Sequence, residues 1–427
     1  MELTIFLLLV LLLMGMPVAF AIGIAGAVFF LQQQTLSFSV PVQLVLTQTQ
    51  SFVMLAIPLF IFAGNLLNET GITNRLLKLA SVLAGHLRAG MAQSSVILST
   101  LMGGITGSAI ADASMQARIL GKGMTDTGYA RGFSAGVIGV SSLIVTMIPP
   151  SIGLILYGTI GEVSIGRLFA AGIVPGLLMA LFMMVAIAVT GRRRGYQPER
   201  ETASTLQEIG KTLVDCIWAF LFPVLLIVGL RFGFFTPSEA GAFAVAYAVV
   251  IGLLVYRELT WNRFLTSLKN TVLDIGMIML IIAMSGIFSY GITWEQIPQK
   301  LAGWMLGITD SAWVLMLIVI LFLLIAGMFI DSTVLILLLT SILLPVAKQV
   351  GVDPVHFGII MVLTLTVGLL TPPVGVVMYS VCSILECSIG EFVKESLPLF
   401  AAVIIVILLV IFVPDLVLTI PRWIFGA

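Results

Sequence analysis

The sequence predicts an all-α membrane protein that crosses the bilayer many times. Of its 427 residues, 60% are hydrophobic and only 9% are charged, whereas about 25% of the residues in a typical soluble domain are charged. The apolar residues form long runs, not the short alternating segments of a closed β-barrel. Two pairs of interrupted apolar segments also give the chain an internal repeat. The formal net charge of zero gives no indication of a nucleic-acid partner.

The first interrupted segment, residues 102–114, reads MGGITGSAIADAS. The apolar arms beside it, 92–101 and 109–120, are too short to span a bilayer, which takes about 20 residues. Glycines at membrane depth are tolerated only where the freed backbone groups meet protein, water or ions. The sequence therefore predicts a hairpin over 92–120 that enters the membrane and turns at Gly107-Ser108.

A second interrupted segment, AGMFIDST at 326–333, lies between two further arms, 311–325 and 334–347. Each hairpin is followed by a long apolar segment that contains a double proline, Pro149-Pro150 or Pro372-Pro373. The spacing from the aspartate to the first proline is 37 residues in one copy and 41 in the other. Two diverged copies of one re-entrant unit are typical of secondary transporters.

The remaining apolar segments complete a predicted organisation in five parts. The start of the chain, MELT, lacks the basic region of a signal peptide, so we expect the first apolar run to be a retained helix. The predicted spans are 3–31 with a kink at Gly15–Pro17, 51–67, 168–190, 212–230, 238–256, 271–291 and 397–420, and the two broken spans are 132–160 and 355–386.

The five parts are 1–91, scaffold spans and an amphipathic arm helix at 68–90; 92–160, transport-domain repeat 1; 161–310, scaffold spans and a connecting arm at 292–310; 311–386, transport-domain repeat 2; and 387–427, a C-terminal span.

The lysines and arginines predict the orientation of the chain. When the 191–211 loop is placed in the cytoplasm and the spans alternate from there, 15 of the 20 basic residues fall on the cytoplasmic side. This excess obeys the positive-inside rule and puts the N-terminus in the cytoplasm. Hairpin 1 then opens to the cytoplasm and hairpin 2 to the opposite side. Inverted repeats of this kind indicate alternating access.

The interruptions contain hydroxyl groups but no lysine or arginine. Half-helix N-termini suit a carboxylate, and unwound carbonyls together with hydroxyls suit a small cation such as Na⁺. Most serines and threonines in membrane helices bond to their own helix or to a neighbour, so we favour a functional role only at the tips and breaks. The hydroxyl residues there are Thr106, Ser108, Ser114, Ser141, Ser142, Thr146 and Ser151, then Ser332, Thr333, Thr364, Thr366 and Thr371.

Two carboxylates, Asp112 and Asp331, occupy matching places in the two hairpins. A carboxylate inside a membrane indicates function by default, so direct ligation is one interpretation. The other is that each aspartate caps the second arm of its hairpin and shapes a gate. The two histidines lie 270 positions apart and the three cysteines lack metal-ligand spacing, so an intramembrane enzyme is the least favoured class.

Six motifs resemble one known family, the large membrane subunit of tripartite ATP-independent periplasmic (TRAP) transporters, the DctM-like proteins. The motifs are MGMPVAFAIG at 14–23, IPLFIFAG at 57–64, GGITGSAIAD at 103–112, IPPS at 148–151, FTPSEA at 235–240 and TPPVG at 371–375. The resemblance covers nearly the whole chain. It implies an elevator-type, Na⁺-driven importer, similar in fold to divalent-anion/Na⁺ symporters. It also implies two partners, a separate small DctQ-like membrane subunit and a periplasmic binding protein that delivers an organic acid.

The resemblance also implies site residues. In the second repeat the Na⁺ ligands would be Gly327, Gly368, Thr371 and Val374, mostly through carbonyls; the family often has methionine at the last position. The inverted repeat extends this set to Gly104, Ser108, Val145, Ile148 and Ser151. The substrate would touch Ser108, Asp112, Asp331 and Ser332.

The sequence therefore predicts the large permease subunit of a Na⁺-coupled importer in the bacterial inner membrane. Its substrate would be a small carboxylate, such as sialic acid or a C4-dicarboxylate. The main alternative is a stand-alone Na⁺/organic-anion symporter that works without a binding protein. A channel is a further alternative, because broken helices also occur in channels.

Overall fold

The computed structural model describes residues 2–33, 35–37, 39–50, 52–308 and 311–426, and in these ranges it consists of helices joined by short connections. The all-helical prediction is confirmed. In chain order the helices are α1 Glu2–Leu13, α2 Val18–Gln32, α3 Ser39–Gln50, α4 Ala56–Glu69, α5 Ile72–Ala84, α6 Gly90–Gly103, α7 Ala109–Gln116, α8 Lys122–Asp126, α9 Arg131–Ser141, α10 Ile152–Ile160, α11 Ile165–Arg194, α12 Leu206–Asp215, α13 Ile217–Arg231, α14 Pro237–Val250, α15 Trp261–Trp294, α16 Ile297–Ile308, α17 Ala312–Phe329, α18 Ser332–Gln349, α19 Pro354–Gly368, α20 Val376–Leu385, α21 Ile389–Phe412 and α22 Asp415–Phe425.

Hairpin 1 is formed by α6 and α7. The Ser99 hydroxyl donates to Asp112 over 2.8 Å, and the Ser95 hydroxyl donates to Gln116 over 2.7 Å. Ser95 precedes Ser99 by four residues, whereas its partner Gln116 follows Asp112 by four. Pairing of this kind is the register of two antiparallel helices. The chain reverses at 104–108, where Gly107 has a φ of +60°. This confirms the predicted turn at Gly107.

Hairpin 2 is formed by α17 and α18, and its arms are longer than predicted. Each arm has 18 residues, or about 27 Å at 1.5 Å per residue, so length alone does not prevent either from spanning. The tip nevertheless lies beside the interruption of the following helix, where the backbone N–H of Val374 donates to the carbonyl of Met328 over 3.2 Å. The hairpin is therefore re-entrant because of where its tip is held.

Both double prolines interrupt a helix, as predicted. In the first repeat α9 continues as a 3₁₀ turn, Ser142–Thr146, and α10 begins only at Ile152. In the second repeat α19 ends at Gly368 and α20 begins at Val376. Proline has no N–H and its ring clashes with the preceding helical turn, and at each of these adjacent pairs a short stretch of backbone is non-helical.

The two hairpins open at opposite ends of the bundle. At one end, the start of α9 meets the end of α20, because Arg131 pairs with Glu386; we call this the Arg131 end. At the other, the hydroxyl of Tyr157 on α10 donates to the carbonyl of Pro354 at the start of α19 over 2.7 Å; we call this the Pro354 end. Hairpin 1 opens at the Arg131 end and hairpin 2 at the Pro354 end, so the repeats are inverted.

Each hairpin packs its second arm on the broken helix of the other repeat. Ser114 on α7 contacts Ser380 on α20, with 2.8 Å between the two hydroxyl oxygens. On the opposite side α18 packs along α10, where Gly161 lies against Leu344. The two repeats are therefore interleaved into one unit.

The helices outside the repeats form a second group. Helices α2, α3 and α4 pack along the 34-residue α15, and α14 packs along α4. Helix α11 differs, because it packs mainly on α6, α21 and α22. We therefore call α6–α11 with α17–α22 the repeat body, and α1–α4 with α13–α15 the outer group. The five-part division given above stays a prediction.

Several predicted spans differ in extent from the helices observed. The first is interrupted completely at Met14–Pro17, so α1 and α2 are separate helices. The predicted 212–230 span begins only at Ile217, after the amphipathic α12, which is bent 58° away from α13. The last span, predicted at 397–420, covers Ile389–Phe412. Within the predicted arm at 68–90 the structure has the amphipathic helix α5, and its position at the membrane surface stays a prediction. The predicted connecting arm at 292–310 contains α16, and its last two residues lie outside the described part.

Replacement of Gly172 by alanine tests the packing of α11 against the first repeat. A Cβ atom there would lie 2.1 Å from the carbonyl oxygen of Met147, so Gly172→Ala forces the broken helix to shift and costs about 1–3 kcal/mol. We expect a lower melting temperature in detergent. Gly276→Ala on α15 is the control, because a Cβ there meets nothing within 4 Å and alanine favours helix. Equal melting temperatures for the two variants would contradict the described packing.

Candidate functional site

The four predicted Na⁺ ligands of the second repeat converge where the tip of hairpin 2 meets the broken helix. Gly327 and Gly368 touch through their backbones, since a Cβ on Gly368 would lie 2.3 Å from the carbonyl carbon of Gly327. The Thr371 hydroxyl donates to the carbonyl of Gly368 over 3.0 Å. Val374 reaches the same tip through its hydrogen bond to Met328. This close approach requires glycine at both contact positions.

The predicted residues of the first repeat also lie at one junction. Gly103 lies against Ile148, and a Cβ on Gly107 would lie 2.6 Å from the carbonyl oxygen of Pro150. Val145 lies in the 3₁₀ turn just before this contact and is fully buried. The tip also touches the outer group, because Gly104 lies beside Pro223 of α13. The structure thus brings the first set together as it does the second.

Four half-helices begin at these two junctions. Ser108 caps α7 by accepting the backbone N–H of Ala111, and Ser151 caps α10 by accepting that of Leu154, each over 3.4 Å. Asp331 caps α18, and Gly375 precedes α20 with a positive φ. Helix N-termini carry partial positive charge and unpaired N–H groups. The centre of the repeat body therefore favours an anion although no lysine or arginine lies at the tips or breaks.

The two aspartates do not occupy equivalent positions. Asp331 is the N-cap of α18, and its carboxylate accepts the backbone N–H of Thr333 over 2.8 Å. In hairpin 1 the N-cap is Ser108, and Asp112 lies one turn inside α7. The capping interpretation therefore holds for Asp331 and fails for Asp112. The residue that matches Asp331 is Ser108.

Asp112 belongs to a buried polar network inside hairpin 1. One carboxylate oxygen accepts hydrogen bonds from Ser99 and from the Gln116 amide, both over 2.8 Å. Ser99 also contacts Ser141 on α9 over 3.2 Å. The other carboxylate oxygen is buried without a partner. The network ties both arms of the hairpin to the broken helix, and its members Ser95, Ser99 and Gln116 were not among the predicted site residues.

The residues predicted to touch substrate differ in exposure. Ser108 and Asp331 are half-buried at the two tips, whereas Ser332 is 8% exposed and Asp112 is fully buried. Val374, at 43%, is much more exposed than the other predicted ligands. Direct contact between substrate and these residues stays a prediction. Among the described residues no group of three or more histidine, cysteine, aspartate or glutamate side chains is placed to hold a metal ion.

The motifs at these junctions match a family. The profile of the tripartite ATP-independent periplasmic transporter, DctM component, matches residues 5–416. The chain belongs to this family. It is therefore a membrane-embedded transporter component and not an enzyme.

Members of the DctM family that are named for different substrates are similar to this chain over most of its length. The sialic acid TRAP transporter large permease protein of Vibrio cholerae is 36% identical, with 97% of both chains covered. The C4-dicarboxylate TRAP transporter large permease protein of Pseudomonas aeruginosa is 34% identical, covering 88% of this chain and 87% of the relative. The 2,3-diketo-L-gulonate TRAP transporter large permease protein of Escherichia coli is 32% identical, with 96% of both covered.

Two solved transporter structures share the fold at low sequence identity. The YdaH transporter of Alcanivorax borkumensis superposes with a TM-score of 0.57 at 13% identity, over 84% of this chain and 86% of that one. MtrF of Neisseria gonorrhoeae gives 0.55 at 11% identity, over 87% and 84%. These likenesses support the fold alone.

Substitution of Asp112 distinguishes a structural network from an isolated carboxylate. Asp112→Leu removes the oxygen that accepts hydrogen bonds from both Ser99 and Gln116, and loss of such a buried partner costs about 1–3 kcal/mol. We expect a clearly lower melting temperature in detergent for this variant. Asp112→Asn keeps an acceptor for Ser99 and should lose much less.

Asp126→Asn, at an exposed carboxylate of α8, serves as the control and should melt like the parent. If Asp112→Leu also melted like the parent, the network would not hold the hairpin together.

Proposed function

We propose that this chain is the large permease subunit of a Na⁺-coupled TRAP transporter that imports a small organic acid. The observation that carries the proposal is the convergence of backbone and hydroxyl groups at the two junctions, in a chain whose family is established. The relatives named for sialic acid, C4-dicarboxylate and 2,3-diketo-L-gulonate all concern carboxylates, which supports a carboxylate substrate.

Na⁺ coupling is supported by the chemistry of the second junction. Na⁺ prefers oxygen ligands, and discontinuous membrane helices supply them through unwound carbonyls. The carbonyl of Gly368 and the hydroxyl of Thr371 lie 3.0 Å apart, and the carbonyl of Gly327 lies against Gly368. The closeness of these oxygens at one junction supports a shared cation there. Helix N-termini beside them would hold the carboxylate, so that cation and anion stabilise each other.

Coupling is also required by energetics. An anion entering a cell moves against the membrane potential, which costs about 2.3 kcal/mol per charge at 100 mV. If enough Na⁺ is co-transported for each cycle to carry one net positive charge inward, the membrane potential favours uptake by the same free energy. That free energy supports roughly 50-fold accumulation of the organic acid. The Na⁺ concentration gradient adds to it.

We further propose an elevator mechanism, in which the repeat body moves against the outer group. Its support is that the two repeats are interleaved into one unit, whereas the outer group packs chiefly on α15. A small DctQ-like membrane subunit would extend the outer group, and a periplasmic binding protein would deliver substrate. The positive-inside count favours the bacterial inner membrane with the N-terminus in the cytoplasm.

The test is reconstitution in liposomes with an inward Na⁺ gradient. The complete system, with the small subunit and binding protein, should take up an organic acid only when Na⁺ is present outside. A panel of sialic acid, C4-dicarboxylates and sugar acids identifies the substrate. Uptake of free acid by this chain alone would favour the stand-alone symporter, and unsaturable current would favour a channel. Loss of all Na⁺ dependence in the complete system would exclude the coupling proposed.

Thr371 offers a sharp test of the second Na⁺ site. Thr371→Val removes a hydroxyl at the helix break, and we expect the Na⁺ concentration for half-maximal uptake to rise about tenfold, which corresponds to about 1.4 kcal/mol. Thr366→Val is a matched control, because the Thr366 hydroxyl makes the same bond to a carbonyl three residues earlier, over 2.9 Å, but within intact α19. Equal Na⁺ dependence in both variants would remove Thr371 from the site.

A further inference from the structure

Two of the three cysteines lie at one end of helix α20. Cys382 lies in the last turn of this helix and is 5% exposed, whereas Cys387 follows the helix by two residues and is half-buried. Cys216 is buried at the start of α13, in the outer group. All three are free thiols, and the two junctions use neither Cys382 nor Cys387.

The end of α20 has the hydrogen bonds of a Schellman motif. The backbone N–H groups of Glu386 and Cys387 both donate to the carbonyl of Cys382, the second over 3.1 Å. Glu386 reverses the chain with a φ of +51°. In this motif the side chains at the two ends of the turn frequently lie in contact, and here those two residues are the cysteines.

The same hydrogen bond limits the distance between the two cysteines. A bond of 3.1 Å from the Cys387 nitrogen to the Cys382 oxygen, with standard bond lengths at each end, keeps the two Cα atoms within about 7 Å. Disulfides usually join Cα atoms about 4.4–6.8 Å apart. Cys387 packs on the apolar cluster to which Cys382 belongs, and the two thiols interact directly. The pair is therefore within reach of a disulfide bond.

The two thiols differ in reactivity. A hydrogen bond with the Cys382 thiol holds the pKa of the Cys387 thiol below its ordinary value, and the positive charge of Arg131 acts in the same direction, whereas burial and the negative charge of Glu391 oppose it. The thiolate is the nucleophilic form of cysteine. Cys387 is also the more exposed of the two, so it is the thiol that an external reagent meets first.

The pair spans the joint between α20 and α21. Cys387 directly precedes Ser388, whose hydroxyl caps the start of α21. Leu385, between the two cysteines, lies against Gly121 in the turn that extends α7. A bond between Cys382 and Cys387 would therefore fix a turn that contacts both α21 and hairpin 1.

This turn lies at the Arg131 end of the bundle. Arg131 donates to the carbonyl of Glu386 over 3.4 Å and pairs with its carboxylate. In the orientation proposed above this end faces the cytoplasm, where thiols are kept reduced and the disulfides that form are usually transient. A pair at this place suits a reversible reaction and not a permanent structural bond.

We propose that Cys382 and Cys387 form a redox-active dithiol, which small disulfides of the glutathione class oxidise reversibly. The Cys387 thiolate attacks one sulfur of the oxidant, forms a mixed disulfide and expels one thiolate. Cys382 then loses its proton to solvent and attacks the Cys387 sulfur, which forms the internal disulfide and expels the second thiolate. The oxidant gains the two electrons that the pair loses, and an excess of thiol reverses both steps. This reactivity is independent of the proposed transport.

Intact-mass spectrometry of the full chain in detergent tests the proposal. Incubation of the reduced protein with glutathione disulfide should remove the mass of two hydrogen atoms, and excess dithiothreitol should restore it. Peptide mapping should place the bond between Cys382 and Cys387 and leave Cys216 free.

Single variants separate the roles of the two thiols. Cys382→Ala should keep a glutathione adduct on Cys387, because the thiol that resolves the mixed disulfide is missing. Cys387→Ala should react about tenfold more slowly than the parent, because the remaining thiol of the pair is buried. Cys216→Ala is the control and should oxidise like the parent. A lasting adduct on the parent, a bond to Cys216, or no reaction under conditions that oxidise dithiothreitol would overturn the proposal.

The pH dependence of alkylation by iodoacetamide tests the contact between the thiols directly. Cys382→Ala should move the midpoint for Cys387 to higher pH, because the thiolate loses the thiol that donates to it. Cys216→Ala should leave this midpoint unchanged. If the midpoint were the same in both variants, the two thiols would not face each other and no dithiol site would exist.

Discussion

A backbone polar group inside a bilayer must find a partner, and this constraint shapes the protein. Both repeats break their helices at membrane depth and both fold a hairpin back to the break. Non-helical backbone is tolerated there because protein surrounds it. The approach is so close at Gly327 and Gly368 that no side chain fits between the chains. Packing alone therefore requires glycine at these positions, independently of any role in Na⁺ binding.

The site that results is made largely of main chain. Carbonyls, helix N-termini and a few hydroxyls supply its polarity, while the ionisable side chains near it are already engaged. Asp331 holds the start of α18, and Asp112 holds the arms of hairpin 1 together. Helix N-termini attract the negative charge of any small carboxylate, and the relatives carry names of chemically different acids.

Departures from the internal symmetry carry the functional information. One hairpin arm is capped by a serine and the other by a carboxylate, which weakens the positive end of α18 relative to α7. Helices α7 and α20 meet through the hydroxyls of Ser114 and Ser380. In the other pair, α10 and α18, apolar residues of α18 are buried against apolar side chains of the outer group. The two repeats are therefore alike in backbone and unlike in what packs on them.

The sequence by itself determined the fold class, the repeats, the hairpin tips and the breaks, since hydrophobic length, glycine clusters and proline pairs act locally. It also identified the residues that meet at each junction, through the resemblance of its motifs to a family. Only the tertiary structure showed that Asp112 lies inside α7 and bonds to Ser99 and Gln116, because that register depends on how two arms pack. Only the fold showed that α11 packs on α6, α21 and α22, because the apolar surface of a membrane helix meets lipid or protein equally well and composition does not distinguish them.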